Sequence, residues 1–121
     1  MKRIPLLCPH RRRCISGSFS WMDHRLIREG HLTGLSTAEF ALYAFLVLVG
    51  NADGVSFYRQ EKICRYLGEM DWGLFQTARD GLLQADLIAF QPFHAGTPNG
   101  FYQVLSLDGL GSPTSPGDTN G

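Results

Sequence analysis

The chain has 121 residues, of which 44% are hydrophobic and 18% charged. That size and balance suit one packed domain and exclude bulk disorder. Eleven basic residues match eleven acidic ones, so no overall attraction to a polyanion exists.

The first segment, residues 1–18, reads as a basic arm with Lys2, Arg3, Arg11, Arg12 and Arg13, ending in a Ser-Gly-Ser run. Residues 1–31 hold seven basic and two acidic side chains, whereas 32–121 hold four basic and nine acidic ones. A basic arm on an acidic body is the informative charge feature. Residues 19–108 are expected to form the folded unit. Ser20 is placed to cap a short amphipathic helix over 21–29 that Gly30 stops, with Trp21, Leu26 and Ile27 as its apolar side chains. The exposed half of that helix would offer a surface to a second copy or to a protein partner.

Ser36-Thr37-Ala38-Glu39 is a capping box. The serine oxygen accepts from the backbone three residues on, and the glutamate reaches back. The ten apolar residues that follow, 40–49, close at Gly50. They are too few to cross a bilayer, so they predict a core helix covered on most sides and no membrane partner. Asn51-Ala52-Asp53-Gly54 predicts a turn, and 55–58 is β-prone. The pattern then gives a helix over 59–67 that buries Ile63 and Leu67 and ends at Gly68, leaving Arg59, Lys62 and Arg65 in solvent. Asp71 is positioned to cap a second helix over 72–85, with Leu74, Ala78, Leu82 and Ala85 as its inner stripe. Two strands, 87–90 and 101–105, bracket a loop with Pro92, Pro98 and Asn99-Gly100. Residues 109–121, almost all small or polar, predict a disordered tail.

Helix, turn, helix and hairpin in this order predict a mainly α fold with a small β-hairpin, an α+β winged helix-turn-helix. In that arrangement one helix braces the nucleic-acid backbone and the next presents its outer face to base edges. The outer face of 72–85 would hold Trp72, Gly73, Gln76, Thr77, Asp80 and Leu83, with Arg79 at its edge. Gln76 suits adenine, Arg79 guanine or phosphate, and Thr77 phosphate. Against this, residues 69–86 carry four acids and Arg79 alone. Phosphate neutralisation dominates DNA affinity, so Arg59, Lys62, Arg65 and the arm arginines Arg11, Arg12 and Arg13 would have to supply the attraction. Double-stranded DNA is therefore the expected partner. The competing expectation is a protein-interaction module on the same scaffold, anchored by Trp72 and Leu83.

The strings Phe-Ser-Trp-Met-Asp-His-Arg-Leu (19–26), Leu-Ser-Thr-Ala-Glu-Phe-Ala-Leu-Tyr-Ala-Phe-Leu-Val-Leu-Val (35–49), Asp-Gly-Val-Ser-Phe-Tyr (53–58) and Phe-Tyr-Gln-Val-Leu-Ser-Leu (101–107) resemble small bacterial helix-turn-helix proteins. Those are similar in pattern to plasmid replication-initiation domains and winged-helix regulators. The resemblance spans about 19–107 and implies a winged helix, with 59–67 as bracing and 72–85 as recognition helix. It also implies DNA binding in transcription regulation, replication or a mobile element. This chain departs from the pattern in its recognition helix, which carries one cation where such helices commonly carry several.

Other chemistry is sparsely signalled. Cys8, His10 and Cys14 lack a fourth zinc ligand at suitable spacing. The three cysteines read as free thiols of a cytoplasmic protein. Asp23-His24 has no second catalytic group, and no glycine-rich phosphate loop opens a helix. Neither enzyme activity nor a cofactor is expected.

Overall fold

The computed structural model describes residues 5–14 and 16–108. Lys2 and Arg3 of the basic arm and the tail 109–121 lie outside the described residues. Arg11, Arg12 and Arg13 are all exposed, and Arg11 closes a 3-10 turn over Pro9–Arg11.

Four α-helices and a three-stranded antiparallel sheet form an α+β unit. The helices are α1 (Arg25–Arg28), α2 (Thr37–Val49), α3 (Gln60–Tyr66) and α4 (Trp72–Gln84). The strands are β1 (Val55–Ser56), β2 (Ile88–Pro92) and β3 (Gly100–Val104). The sheet order is β1-β3-β2, with Ser56 opposite Tyr102 and Gln91 opposite Phe101. The short 55–58 segment thus adds a third strand to the expected hairpin. No helix among the described residues is long and apolar enough to cross a membrane.

The capping box at α2 forms as the sequence predicts. Glu39 N donates to Ser36 Oγ at 3.1 Å, and Ser36 N donates to Glu39 Oε1 at 2.9 Å. Leu42, Tyr43, Phe45 and Leu46 are buried, but Phe40 and Leu48 are exposed, so α2 is covered on fewer sides than its composition suggests. It packs against α4 and the sheet. Asp71 caps α4 by accepting from Gly73 N and Leu74 N. Gly68, at φ +73°, ends α3 as expected, and Leu67 is half-buried.

The first helix differs from expectation. Only Arg25–Arg28 is helical, because Asp23, not Ser20, takes the free backbone N–H of Arg25 (2.9 Å). Ser20 Oγ instead donates to Leu48 O, and Trp21 precedes the helix and is 83% exposed. Of the three apolar side chains assigned to it, only Leu26 is buried.

The face of α4 is also rotated relative to the expected stripe. Phe75, Ala78 and Leu82 are buried, whereas Leu74 is half-exposed and Ala85 lies beyond the helix, exposed. Phe75 buries more apolar area than Leu74. Both residues satisfy a helical period with Ala78 and Leu82, so packing selects the larger side chain.

Candidate nucleic-acid interface

Arg59 is the N-cap residue of α3, and Lys62 and Arg65 follow at helical spacing; all three are exposed. The opposite side of α3 is buried through Gln60, Ile63 and Cys64. That burial leaves the three cations no route into the core. The Lys62 ammonium lies 5.9 Å from the Tyr58 ring centroid, and Tyr58 in turn packs edge-on against Phe45 and Tyr66. One acid, Glu61, shares this helix. Among the described residues none pairs with Arg59, Lys62 or Arg65 in a salt bridge.

The loop between β2 and β3 is fastened to the start of α3. Gln60 N donates to Asn99 Oδ1 at 2.8 Å, and Gln60 Nε2 donates to Pro98 O. Gln60 and Asn99 are both buried. These bonds satisfy a helix N-terminal N–H and the Gln60 Nε2 donor, while Gln60 Oε1 is buried with no partner among the described residues. They also hold Arg59 beside the hairpin. This link is not legible in the sequence. Its only local signal is the Asn99-Gly100 pair, because Gln60 shows nothing in sequence that points 39 residues ahead.

Arg79 is a correction. It was expected at the outer edge of the 72–85 helix, free to meet a base or phosphate. Its side chain is only 15% exposed. The guanidinium lies between the rings of Phe75 and Phe90, 5.8 and 5.3 Å from their centroids. The rotation of α4 that buries Phe75 also turns Arg79 toward the sheet. Nε and Nη1 are buried without a hydrogen-bond partner, and so is the Tyr102 hydroxyl. Burial pushes the Tyr102 phenol up, and the nearby Arg79 cation works in the opposite direction. The two groups adjoin without a hydrogen bond of good geometry. Asp80 is 3.8 Å from Arg79 Nε and largely exposed, too distant for a hydrogen bond.

The exposed face of α4 therefore carries Gly73, Thr77, Asp80 and Gln84, with half-buried Gln76 beside them. It holds no cation. Trp72 is 44% exposed and stacks on Phe75 with 6.2 Å between centroids. Leu83, expected outside, is partly buried against the core, while Leu74 is 48% exposed. The structure thus brings Arg59, Lys62 and Arg65 together on α3, and Trp72, Gln76 and Thr77 together on α4. It removes Arg79 from both surfaces.

Elsewhere, Cys8 and Cys14 are free and exposed, and Cys64 is free and buried. Among the described residues no three metal-ligating side chains gather. A cleft of about 970 Å³ lies between the 19–25 segment, the end of α2 and residues 104–107. Its polar wall is the Asp23–Arg25 pair, already closed on itself and on Asp108.

No family model, curated protein or solved structure matches this chain.

Proposed function

We propose that residues 36–107 form a winged helix-turn-helix that binds double-stranded DNA, with α3 as the phosphate anchor. The supporting order is helix α2, strand β1, helix α3, a five-residue turn over 67–71, helix α4 and the β2–β3 hairpin. The hairpin is the wing, and Gln60 fixes its loop to the bracing helix. The observation that carries the DNA reading is the row of exposed cations Arg59, Lys62 and Arg65 on α3, without an ion pair among the described residues. Three phosphate contacts there, with the exposed Arg11, Arg12 and Arg13, supply the neutralisation that duplex binding needs. Gln76 and Thr77 on α4 face the groove and do the reading; Arg79 does not. The matching biological roles are those of a transcriptional regulator or of a replication- or mobile-element-associated factor.

The test is equilibrium binding of a mixed-sequence duplex at low salt. The variant Arg59→Ala/Lys62→Ala/Arg65→Ala loses at least about tenfold in affinity while remaining folded. Binding unchanged by this variant removes α3 as the anchor.

One observation favours a second reading, a protein-docking module. The exposed face of α4 has no cation, and Trp72 and Leu74 stand half-exposed on its first turn. In that case Trp72→Ala/Leu74→Ala abolishes capture of a protein partner and the duplex does not bind at all.

A further inference from the structure

The outer face of the sheet, turned away from the helices, is built from aromatic rings and amides. Phe57 follows β1 and is 66% exposed; Phe101 on β3 is 46% exposed; Phe93 follows β2 and is 38% exposed. Their rings form one cluster, with centroids 6.5 Å apart for Phe57–Phe101 and 5.0 Å for Phe93–Phe101. Gln91 lies directly across from Phe101, and Gln103 is two residues along the same strand; both are exposed. Ala89, opposite Gln103, is the largest exposed aliphatic residue on this face of the two hairpin strands.

Leaving large aromatic rings in water forgoes burial worth having, so a three-ring cluster on one face marks a contact surface. Its composition identifies the contact. A surface evolved for a protein or lipid partner mixes exposed aliphatic with aromatic side chains, whereas here the exposed large apolar groups are planar rings, with Val55, opposite Gln103, half-buried beside them. Flat π-faces flanked by amides are the chemistry that holds unpaired bases: the ring stacks on the base, and the amide bonds its edge. Charge agrees. Residues 87–107 contain no Asp or Glu, and Arg59, two residues beyond Phe57, stands at the border of the cluster. From there Lys62 and Arg65 continue the cationic row along α3.

We infer that the outer sheet face, through Phe57, Phe93 and Phe101, is a stacking platform for unpaired bases of a single-stranded nucleic acid whose phosphates are held by Arg59. This rests on the nucleic-acid reading above and extends it: the preferred ligand carries a single-stranded segment, alone or beside a duplex.

The experiment measures binding of three probes by fluorescence anisotropy: a single strand of about a dozen nucleotides, an abasic strand with the same phosphates, and a blunt duplex. The base-bearing strand binds at least about fivefold tighter than the abasic one, and Phe101→Ala and Phe57→Ala each cost roughly five- to a hundredfold on it. Phe101→Leu keeps the apolar bulk, loses the π-face and shows most of that loss. Each of these variants melts near the wild-type temperature because the rings are exposed. Equal affinity for the two strands overturns the inference. So does wild-type affinity of Phe101→Leu, which would mark an apolar docking face for protein. Ring-dependent single-strand binding without duplex binding sinks only the duplex reading. Duplex binding without single-strand binding sinks only this one.

Discussion

A guanidinium held in the core with its nearest carboxylate, exposed Asp80, 3.8 Å away needs a further offset, and at Arg79 two ring faces supply it. Cation–π attraction strengthens when the cation is desolvated, to about 2 kcal/mol. Two rings at 5.3 and 5.8 Å offset part of the cost of leaving Nε and Nη1 without acceptors. The aliphatic stem of Arg79 also fills space between Phe75 and Phe90. Shape and charge can be separated here. Arg79→Ala loses both packing and ring contacts and destabilises by about 2 kcal/mol. Arg79→Met keeps the length without a buried charge and stays within about 1 kcal/mol of wild type. Urea denaturation measures both. Duplex affinity of the folded Met variant is unchanged; a fall of about tenfold would mean that the guanidinium turns outward to read a base.

At the scale of elements, helices α2 and α4 share one side chain. Glu39 closes the capping box of α2, and a Cβ added at Gly81 of α4 would collide with its carboxylate. Alanine at an interior helical glycine ordinarily adds about 1 kcal/mol. Here it displaces Glu39 from Ser36 N, and the lost cap costs about the same. Gly81→Ala is therefore nearly neutral in the native background and stabilising by about 1 kcal/mol in a Glu39→Ala background. Additive effects in a double-mutant cycle would refute the coupling. The caps themselves were legible in sequence, because Ser36, Glu39 and Asp71 act on backbone groups two or three residues away. The rotation of α4 was not. Leu74 and Phe75 both fit the helical period, and the choice between them is made by the core that α4 shares with α2 and β2, which the local pattern does not contain. The misplacement of Arg79 followed from the same ambiguity. Similarly, Ser20 does not cap the first helix: His24 is its N-cap, with no side-chain cap bond, and Asp23 just before it accepts from Arg25 N and binds the Arg25 guanidinium.

Across the whole molecule, Arg25 ties the segment before α1 to the chain beyond β3. Its guanidinium binds Asp23 at 2.6 Å and Asp108 at 2.7 Å. These bonds lower the Asp23 pKa to about 2, the Arg25 hydrogen bond being the main cause, and lower that of Asp108 too. Both carboxylates are depressed in the folded state, so their contribution is full above the unfolded value of about 4. For Asp23 it is lost as pH falls from there to about 2. Acid titration of Trp21 fluorescence in a Trp72→Phe background shows a step in that window, and Asp23→Asn abolishes it; a step unaffected by Asp23→Asn would contradict the tie. The order of segments and the cationic side of α3 were also legible in sequence, since each depends on local stops and a helical period. The aromatic outer face was not, because Phe57, Phe93 and Phe101 meet only when three strands pair. Anchoring of nucleic acid by α3 is read out by the salt dependence of duplex affinity. In the wild type, log affinity falls steeply with log salt, and Arg59→Ala/Lys62→Ala/Arg65→Ala flattens the slope by about 2 to 3 units, the loss of three phosphate contacts. A wild-type slope near zero, or the same slope in the variant, would contradict it.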